Sequence, residues 1–378
     1  MPWKEVTVMS QRKQFIKDYE QDLTTFTALC RHYQISPKTG YKWLKRHREQ
    51  GIDGLKDLSR RPHSIPHRTD PDIVKMILSL RRQYPRLGGR KIHHMLLHDG
   101  IERVPAPSTV TDILRRHGLI DPVEAKKHKP FKRFEHDHPN QLWQMDFKGH
   151  FALDKGRCHP LSVLDDHSRF CIGLAACANE RYEPVHEQLT AIFRRYGMPQ
   201  RMTMDNGSPW GNKSTGYELT RLTVWLIQLG IRISHSSPYH PQTQGKDERF
   251  HRSLQEEWLD HRTIRDLCQA QCEFDNWRRF YNLQRPHEAL GMKTPSQRYK
   301  HSDRLFPETL PPIEYGESDE VRKVQLNGEI HFHGRIFRIG YALHGYPVAV
   351  RPLDEDGKYA VYFCKEPVKI IDLNTTDG

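Results

Sequence analysis

Residues 141–151 read QLWQMDFKGHF. From Leu142 to Phe147 apolar and polar residues alternate. Trp143, Met145 and Phe147 fall on one side and Gln144 and Asp146 on the other, the two-residue period of a β-strand. Two more strands follow, Leu161–Leu164 and Phe170–Ala175, joined by a turn at Asp165-Asp166-His167-Ser168. Residues 182–196 carry Val185, Leu189, Ile192, Phe193 and Tyr196 at helical spacing and stop at Gly197. Met202–Met204 predicts a short strand ending at Asp205-Asn206-Gly207. A helix over about 217–229 and a strand at Ile231–Ser234 come next. Then comes a helix with Phe250, Leu254 and Trp258 on its stripe and Glu248 off it. Residues 266–284 predict one more helix. Three strands followed by α, β, α, β, α make a mixed α/β domain over 140–300.

On the N-terminal side the pattern is helical. Residues 10–20 and Thr25–Tyr33 predict two helices, the second with Phe26, Leu29, Cys30 and Tyr33 inward. Ser36 caps a third, with Pro37 at its first position and Gly51 at its end. A short helix, a tight turn and a second, basic helix predict a helix-turn-helix over 1–54. Lys38, Tyr41, Lys42, Lys45 and Arg46 are its DNA contacts. Residues 55–69 read as a linker. A second helix-turn-helix over 70–120 opens at Asp70, has a middle helix at Arg90–Leu97, and closes with a helix capped by Ser108. It presents Thr109, Thr111, Arg115 and Arg116. A basic linker spans 121–139. On the other side, five short strands within 310–378 predict a small β-barrel. The expected fold class is therefore multidomain: α, then α/β, then β.

The charge agrees with that division. The 378 residues carry 59 Lys/Arg and 47 Asp/Glu, and residues 1–139 alone hold 28 basic against 16 acidic side chains. The whole excess of twelve positive charges thus lies in the first third. Counterion release makes a phosphate polymer the natural partner of such a segment, and the helix-turn-helix units make double-stranded DNA the expected one. No apolar run reaches the roughly 18 residues of a spanning helix, and Met-Pro-Trp-Lys is no signal-peptide start. Seven Cys without dense spacing read as reduced thiols. These features exclude membrane, collagenous and disulfide-scaffold classes and predict a cytoplasmic, nucleoid-associated protein.

Three carboxylates stand out. Asp146 lies within a strand, Asp205 ends another, and Glu248 opens the helix after the last strand. If that helix crosses the sheet, all three converge. Hard divalent cations take oxygen ligands, and such ions promote in-line displacement at phosphorus without a nucleophilic side chain. Asp247 is the competing ligand. Asp165 and Asp166 are candidates for extra metal ligands, but a hairpin turn readily explains them.

The stretches QLWQMDFKGHF (141–151), LSVLDDHSRF (161–170), MTMDNGSPW (202–210) and SPYHPQTQGKDERFHRSLQEE (237–257) resemble the integrase core of DDE transposases. The bacterial insertion-sequence transposases of the IS481 and IS3 type are the nearest likeness, and retroviral integrases a more distant one. The resemblance implies a ribonuclease-H-like catalytic core with Asp146, Asp205 and Glu248 as both catalytic and metal-ligand residues. It implies Mg2+, or Mn2+ in its place, as cofactor. It further implies cleavage at terminal repeats and joining of 3′-hydroxyl ends to target DNA. One departure is the interval of 42 residues between Asp205 and Glu248, longer than is usual in the family, which an insertion at Gly211–Gly216 would absorb. Lys246 and Arg249 flank the third acid as DNA-phosphate contacts.

His93, His94 and His98 lack a CxxC partner, and Cys268 and Cys272 are expected to pack in a core, so no structural zinc is predicted. A DNA-binding regulator on an inactive integrase-like scaffold is the alternative function. Coordinated joining of two ends predicts a homo-oligomer on DNA, at least a dimer.

Overall fold

The computed structural model describes residues 7–59, 69–120, 135–205, 207–211, 219–235 and 245–375. Most of both expected linkers, Asn206, the Gly211–Gly216 insertion beyond Gly211 and the loop before Gly245 with His240 lie outside the described residues. The chain divides into two units, residues 1–68 and 69–378.

The first unit packs α1 (Val8–Glu20), α2 (Phe26–His32) and α3 (Pro37–Gln50) with a 3-10 turn at Gly51–Leu55. Ser36 accepts the Thr39 N–H, Pro37 opens α3, and Gly51 ends it at a positive φ of 60°. Phe15, Ile16, Leu29, Cys30, Trp43, Leu44 and Leu55 form the core. Helices α2 and α3 meet at Gly40, where a Cβ would fall 2.8 Å from Cys30 Sγ and from the Phe26 ring. Glycine is required there by this close approach.

In the second unit α4 (Pro71–Gln83), α5 (Gly89–His98) and α6 (Pro107–Arg116) come first. Asp70 caps α4 by accepting the Asp72 N–H. The expected cap at Ser108 is corrected: α6 begins two residues earlier, at Pro107 after the cap residue Ala106, because proline's fixed φ suits the first helical position.

A six-stranded sheet follows, made of β1 (Leu142–Phe147), β2 (Phe151–Ala152), β3 (Arg157–Asp165), β4 (Cys171–Cys177), β5 (Arg201–Met204) and β6 (Arg232–His235). Across it the order is β4-β3-β1-β5-β6, with β2 on the first residues of β3. Strands β3 and β4 are antiparallel, as are β1 and β3. Strands β1, β5 and β6 are parallel. Helices α7 (Tyr182–Tyr196) and α8 (Arg221–Gln228) cover one face together with Trp143 and Met145. Helices α9 (Gly245–Glu257) and α10 (Leu267–Leu283) pack Phe250, Leu254, Phe274 and Trp277 with Leu164, Cys171 and Leu174. Both faces of β1 are thus covered. Gln144, expected on a polar side, is 3% exposed and must find partners inside; a buried polar group without them is costly.

The helices α4–α6 share that second cluster: Ile77, Tyr84, Ile92 and Leu114 belong to it with Phe250 and Phe280, and Tyr84 stacks on Phe280 at 4.0 Å.

The C-terminal strands are β7 (Glu320–Lys323), β8 (Glu329–Phe332), β9 (Arg335–Arg338), β10 (Pro347–Pro352), β11 (Lys358–Phe363) and β12 (Glu366–Asp372). They form an antiparallel sheet β12-β11-β10-β7 and a separate β8–β9 hairpin. Among the described residues no ladder closes the expected barrel. Closure needs continuous pairing with matched tilt and register, whereas the four-residue strands β8 and β9 pair only with each other. Strand β7 escaped the sequence reading because its residues are largely exposed and lack apolar alternation. Val224 and Ile227 of α8 join this domain's cluster, so α8 is buried on two sides. No helix among the described residues is long and apolar enough to cross a membrane.

Candidate active site

Strands β1 and β5 are parallel neighbours, with Gln144 opposite Thr203. Asp146 lies near the end of β1 and Asp205 directly follows β5, so both acids stand at one end of the sheet. Helix α9 lies along the same region: His251 Nε2 is 2.8 Å from Ser162 Oγ, and Ser162 faces Asp146 in register. Glu248, in the first turn of α9, is exposed.

Asp146 carries the electrostatic mark of this grouping. Burial above all, then the charge of Asp205, push its carboxyl up to about 7. Glu180 and Glu248 add to the effect, while a hydrogen bond from the Phe147 N–H opposes it. His251 Nδ1 lies 3.9 Å from Asp146. Burial and Lys148 hold that imidazole down to about 4, so it is neutral near pH 7 and does not balance the acids. Among the described residues, no three His, Cys, Asp or Glu side chains gather tightly enough to form a closed metal cluster. Asp205 and Glu248 both lie close enough to Asp146 for their charges to act on its carboxyl. Their oxygens are the hard donors that a divalent cation takes, and mutual repulsion is what such a cation relieves.

Asp205 is oriented by its own turn. Gly207 N–H donates to Oδ1 at 2.9 Å, and the Trp210 indole N–H donates to the same oxygen. Trp210 is buried and stacks on Phe147 at 5.3 Å. A Cβ on Gly207 would sit 3.0 Å from Asp205 Oδ2. Trp210 was not singled out from the sequence, although it closes the quoted MTMDNGSPW stretch. Asp247, the competing ligand, is 1% exposed, and its Oδ1 has no hydrogen-bond partner among the described residues. Burial, then the charge of Asp146, raises its carboxyl well above the usual range. One helical step of about 100° separates its inward direction from that of Glu248.

The residues expected to meet DNA divide. On α3, Lys38, Tyr41, Lys42 and Lys45 are exposed, with Lys45 3.8 Å from Glu49. Arg46 turns back instead, donating to the Lys56 carbonyl at 2.6 Å and lying over Trp43. In the second helical set Arg115 and Arg116 are exposed. Arg115 pairs with Asp112, and Arg116 Nε donates to the Asp112 carbonyl at 3.2 Å. Thr109 is half-buried, and Thr111 donates to the Pro107 carbonyl at 2.8 Å while packing on Gly89. On α9 Arg249 is exposed. Lys246 is half-buried: its ammonium pairs with Asp166, and its side chain is 16% exposed. Cys268 and Cys272, expected in a core, are exposed, because α10 buries Ala270, Phe274, Trp277, Phe280 and Tyr281 instead.

Comparison with known families matches residues 136–241 and 229–295 to integrase core domains. Residues 319–378 match the IS481 family transposase C-terminal domain. Residues 11–63 match a helix-turn-helix domain and 39–114 a homeodomain-like domain. The uncharacterized 39.2 kDa protein of insertion element IS476 from Xanthomonas euvesicatoria is 25% identical, over 67% of this chain and 72% of its own. The transposase for transposon Tn552 of Staphylococcus aureus is 24% identical, over 86% of this chain and 74% of its own. Among solved structures, the simian T-cell lymphotropic virus intasome in complex with PP2A regulatory subunit B56 gamma aligns with 80% of this chain and 100% of its own. The TM-score there is 0.37 and the identity 17%.

Proposed function

We infer that this chain, an integrase-core DNA transposase of the IS481/IS3 insertion-sequence type, uses Asp146, Asp205 and Glu248 to cut element ends and join them to target DNA. The observation that supports this reading is the parallel pairing of β1 and β5, with Asp146 near the end of one and Asp205 just after the other, together with the charges of Asp205 and Glu248 acting on Asp146. Asp146 and Asp205 would present carboxylate oxygens from adjacent strands, and Glu248 a third from the helix above. Bound Mg2+ or Mn2+ supplies Lewis acidity to a phosphodiester under attack. In cleavage, water adds to phosphorus and the 3′-oxygen leaves as a hydroxyl. In joining, that hydroxyl attacks a target phosphodiester and displaces a new 3′-end. The Trp210 and Gly207 donors would hold Asp205 by Oδ1, leaving Oδ2 for the cation.

The exposed cations of α3, together with Arg115 and Arg116, suit the terminal repeats, and Arg249 suits a phosphate beside the reacting bond. Two ends held at once require a homo-oligomer, at least a dimer, on DNA. The test is cleavage of labelled end DNA in Mg2+ by the wild type, Asp146→Ala and Glu248→Ala, with end binding measured by gel shift. Wild-type cleavage, with both variants binding but not cutting, supports the reading. A cutting variant overturns the assignment. A wild type that binds ends without nicking them makes the chain a regulator on an inactive scaffold.

A further inference from the structure

We propose that Asp166 is a positioning residue for this reaction: its buried carboxylate ties strand β1 to helix α9 and so sets Glu248 relative to Asp146. The proposal rests on the reading of those two acids as metal ligands. Asp166 is 2% exposed. Its Oδ1 accepts from Gln144 Nε2 at 2.9 Å and from the Lys246 ammonium. Its Oδ2 accepts the His136 backbone N–H at 3.0 Å and lies 3.0 Å from His136 Nδ1. Lys246 also reaches the Asp166 carbonyl at 3.3 Å, while the Asp166 N–H donates to the Leu142 carbonyl at 3.0 Å.

The positions of these partners give the cluster its meaning. Gln144 lies two residues before Asp146 and on the same side of β1. Lys246 lies two residues before Glu248 in the first turn of α9. A single oxygen therefore bridges the two elements that present the first and third acids. The neighbouring Asp165 serves a different end, with no donor from α9 among the described residues. Asp165 accepts from the Ser168 N–H and hydroxyl at 2.8 and 2.6 Å and from the Asn140 N–H at 2.7 Å, which closes the hairpin and seats the start of β1. Asp166 instead gathers donors from 22, 30 and 80 residues away.

Helix α9 has a second fastening on the same strands, His251 to Ser162, with Ser162 Oγ also donating to the Asp146 carbonyl at 3.2 Å. A helix held at two points cannot rotate about either one. Without the Lys246–Asp166 contact, α9 keeps its hold at His251 and through Phe250 and Leu254. Its first turn, where Glu248 sits, is then released to pivot. A buried ion pair missing one partner also leaves an uncompensated charge, which drives the remaining side chain toward water.

The test compares full-length wild type, Asp166→Asn, Lys246→Met, the double variant and Lys246→Arg. Thermal melting, gel shift on end DNA, Mn2+ binding by electron paramagnetic resonance and end cleavage are measured on each. We expect end binding unchanged, with Mn2+ affinity and cleavage each lowered by about tenfold or more in both singles. The double should be no worse than the singles, since both remove one contact. Lys246→Arg, which keeps a cation for Asp166, should recover most of the Mn2+ affinity. Lower melting temperatures with unchanged Mn2+ affinity, or losses that add in the double, would reduce Asp166 to a structural ion pair and overturn the proposal. If Asp166→Asn does not fold, the Lys246 Met and Arg variants decide by the same criteria. A wild type that binds no Mn2+ overturns the metal-ligand reading and this one with it, an outcome distinct from a wild type that binds and variants that match it.

Discussion

Two donors hold Asp205, the Gly207 N–H and the Trp210 indole. Trp210 donates to Oδ1 while its ring stacks on Phe147, the residue after Asp146. Trp210→Phe keeps an aromatic ring on Phe147 and removes only the donor. A hydrogen bond to a charged acceptor contributes about 1.5–3 kcal/mol. Asp205 is partly exposed and water replaces some of that loss, so about 1 kcal/mol is expected in stability. On the proposed role of Asp205 as a metal ligand, cleavage should fall by about tenfold, the usual penalty for freeing a ligand's supporting contact. Urea denaturation and end cleavage, measured on one preparation, check both numbers; full activity in Trp210→Phe would mean that Gly207 alone suffices. Asp205 could be found from the sequence because strand ends are local. Trp210 could not, because nothing in Asn-Gly-Ser-Pro-Trp says that the chain turns back on the acid. Asp166 was hidden in the same way: its letters spell a turn, while its partners at 136, 144 and 246 meet only after folding.

Between elements, α5 and α9 are joined by charge. Glu257, at the end of α9, accepts from Arg285 Nε at 2.7 Å and lies 3.9 Å from Lys91 of α5. Burial, then the charge of Arg285, hold the Lys91 ammonium down to about 8 from its usual 10.5. The folded chain therefore releases this proton at a lower pH than the unfolded chain does. Between about pH 8 and 10.5 the unfolded state binds more protons, and the Lys91 contribution to stability rises with pH. Relative to Lys91→Met, the wild type should gain up to about 3 kcal/mol across that window. Urea midpoints for both proteins at neutral pH and near pH 10.5 measure the difference, and parallel profiles would rule it out. Helix starts such as Ser36 and Asp70 were legible because a cap and a proline are neighbours in sequence. Ser108 misled because the proline before it was the stronger signal. Cys268 and Cys272 misled because helical spacing alone does not say which stripe of α10 faces the sheet.

At the scale of the molecule, the apolar clusters divide the chain differently from its sequence boundaries. The cluster of α1–α3 is built from residues 9–55. Helices α4–α6, which the sequence sets apart as a reader of DNA, share theirs with α9 and α10. The C-terminal sheet shares its cluster with α8. Composition marks changes of secondary structure well, yet it does not show whose core a helix completes. The shared cluster makes α4–α6 part of the cooperative unit that contains Glu248, so a DNA contact made there is made by the body that carries the acids. Tyr84 tests this: it is 7% exposed, stacks on Phe280 at 4.0 Å and accepts from Gln83 Nε2 at 3.1 Å. Tyr84→Ala should leave a cavity costing about 3 kcal/mol. In scanning calorimetry that cost should lower the main transition of residues 69–378 as a whole. Deleting residues 1–68 should remove a separate small transition and leave the main one in place. If Tyr84→Ala instead produced a new early transition, with the core melting unchanged, α4–α6 would be an independent domain and its coupling to α9 would be lost.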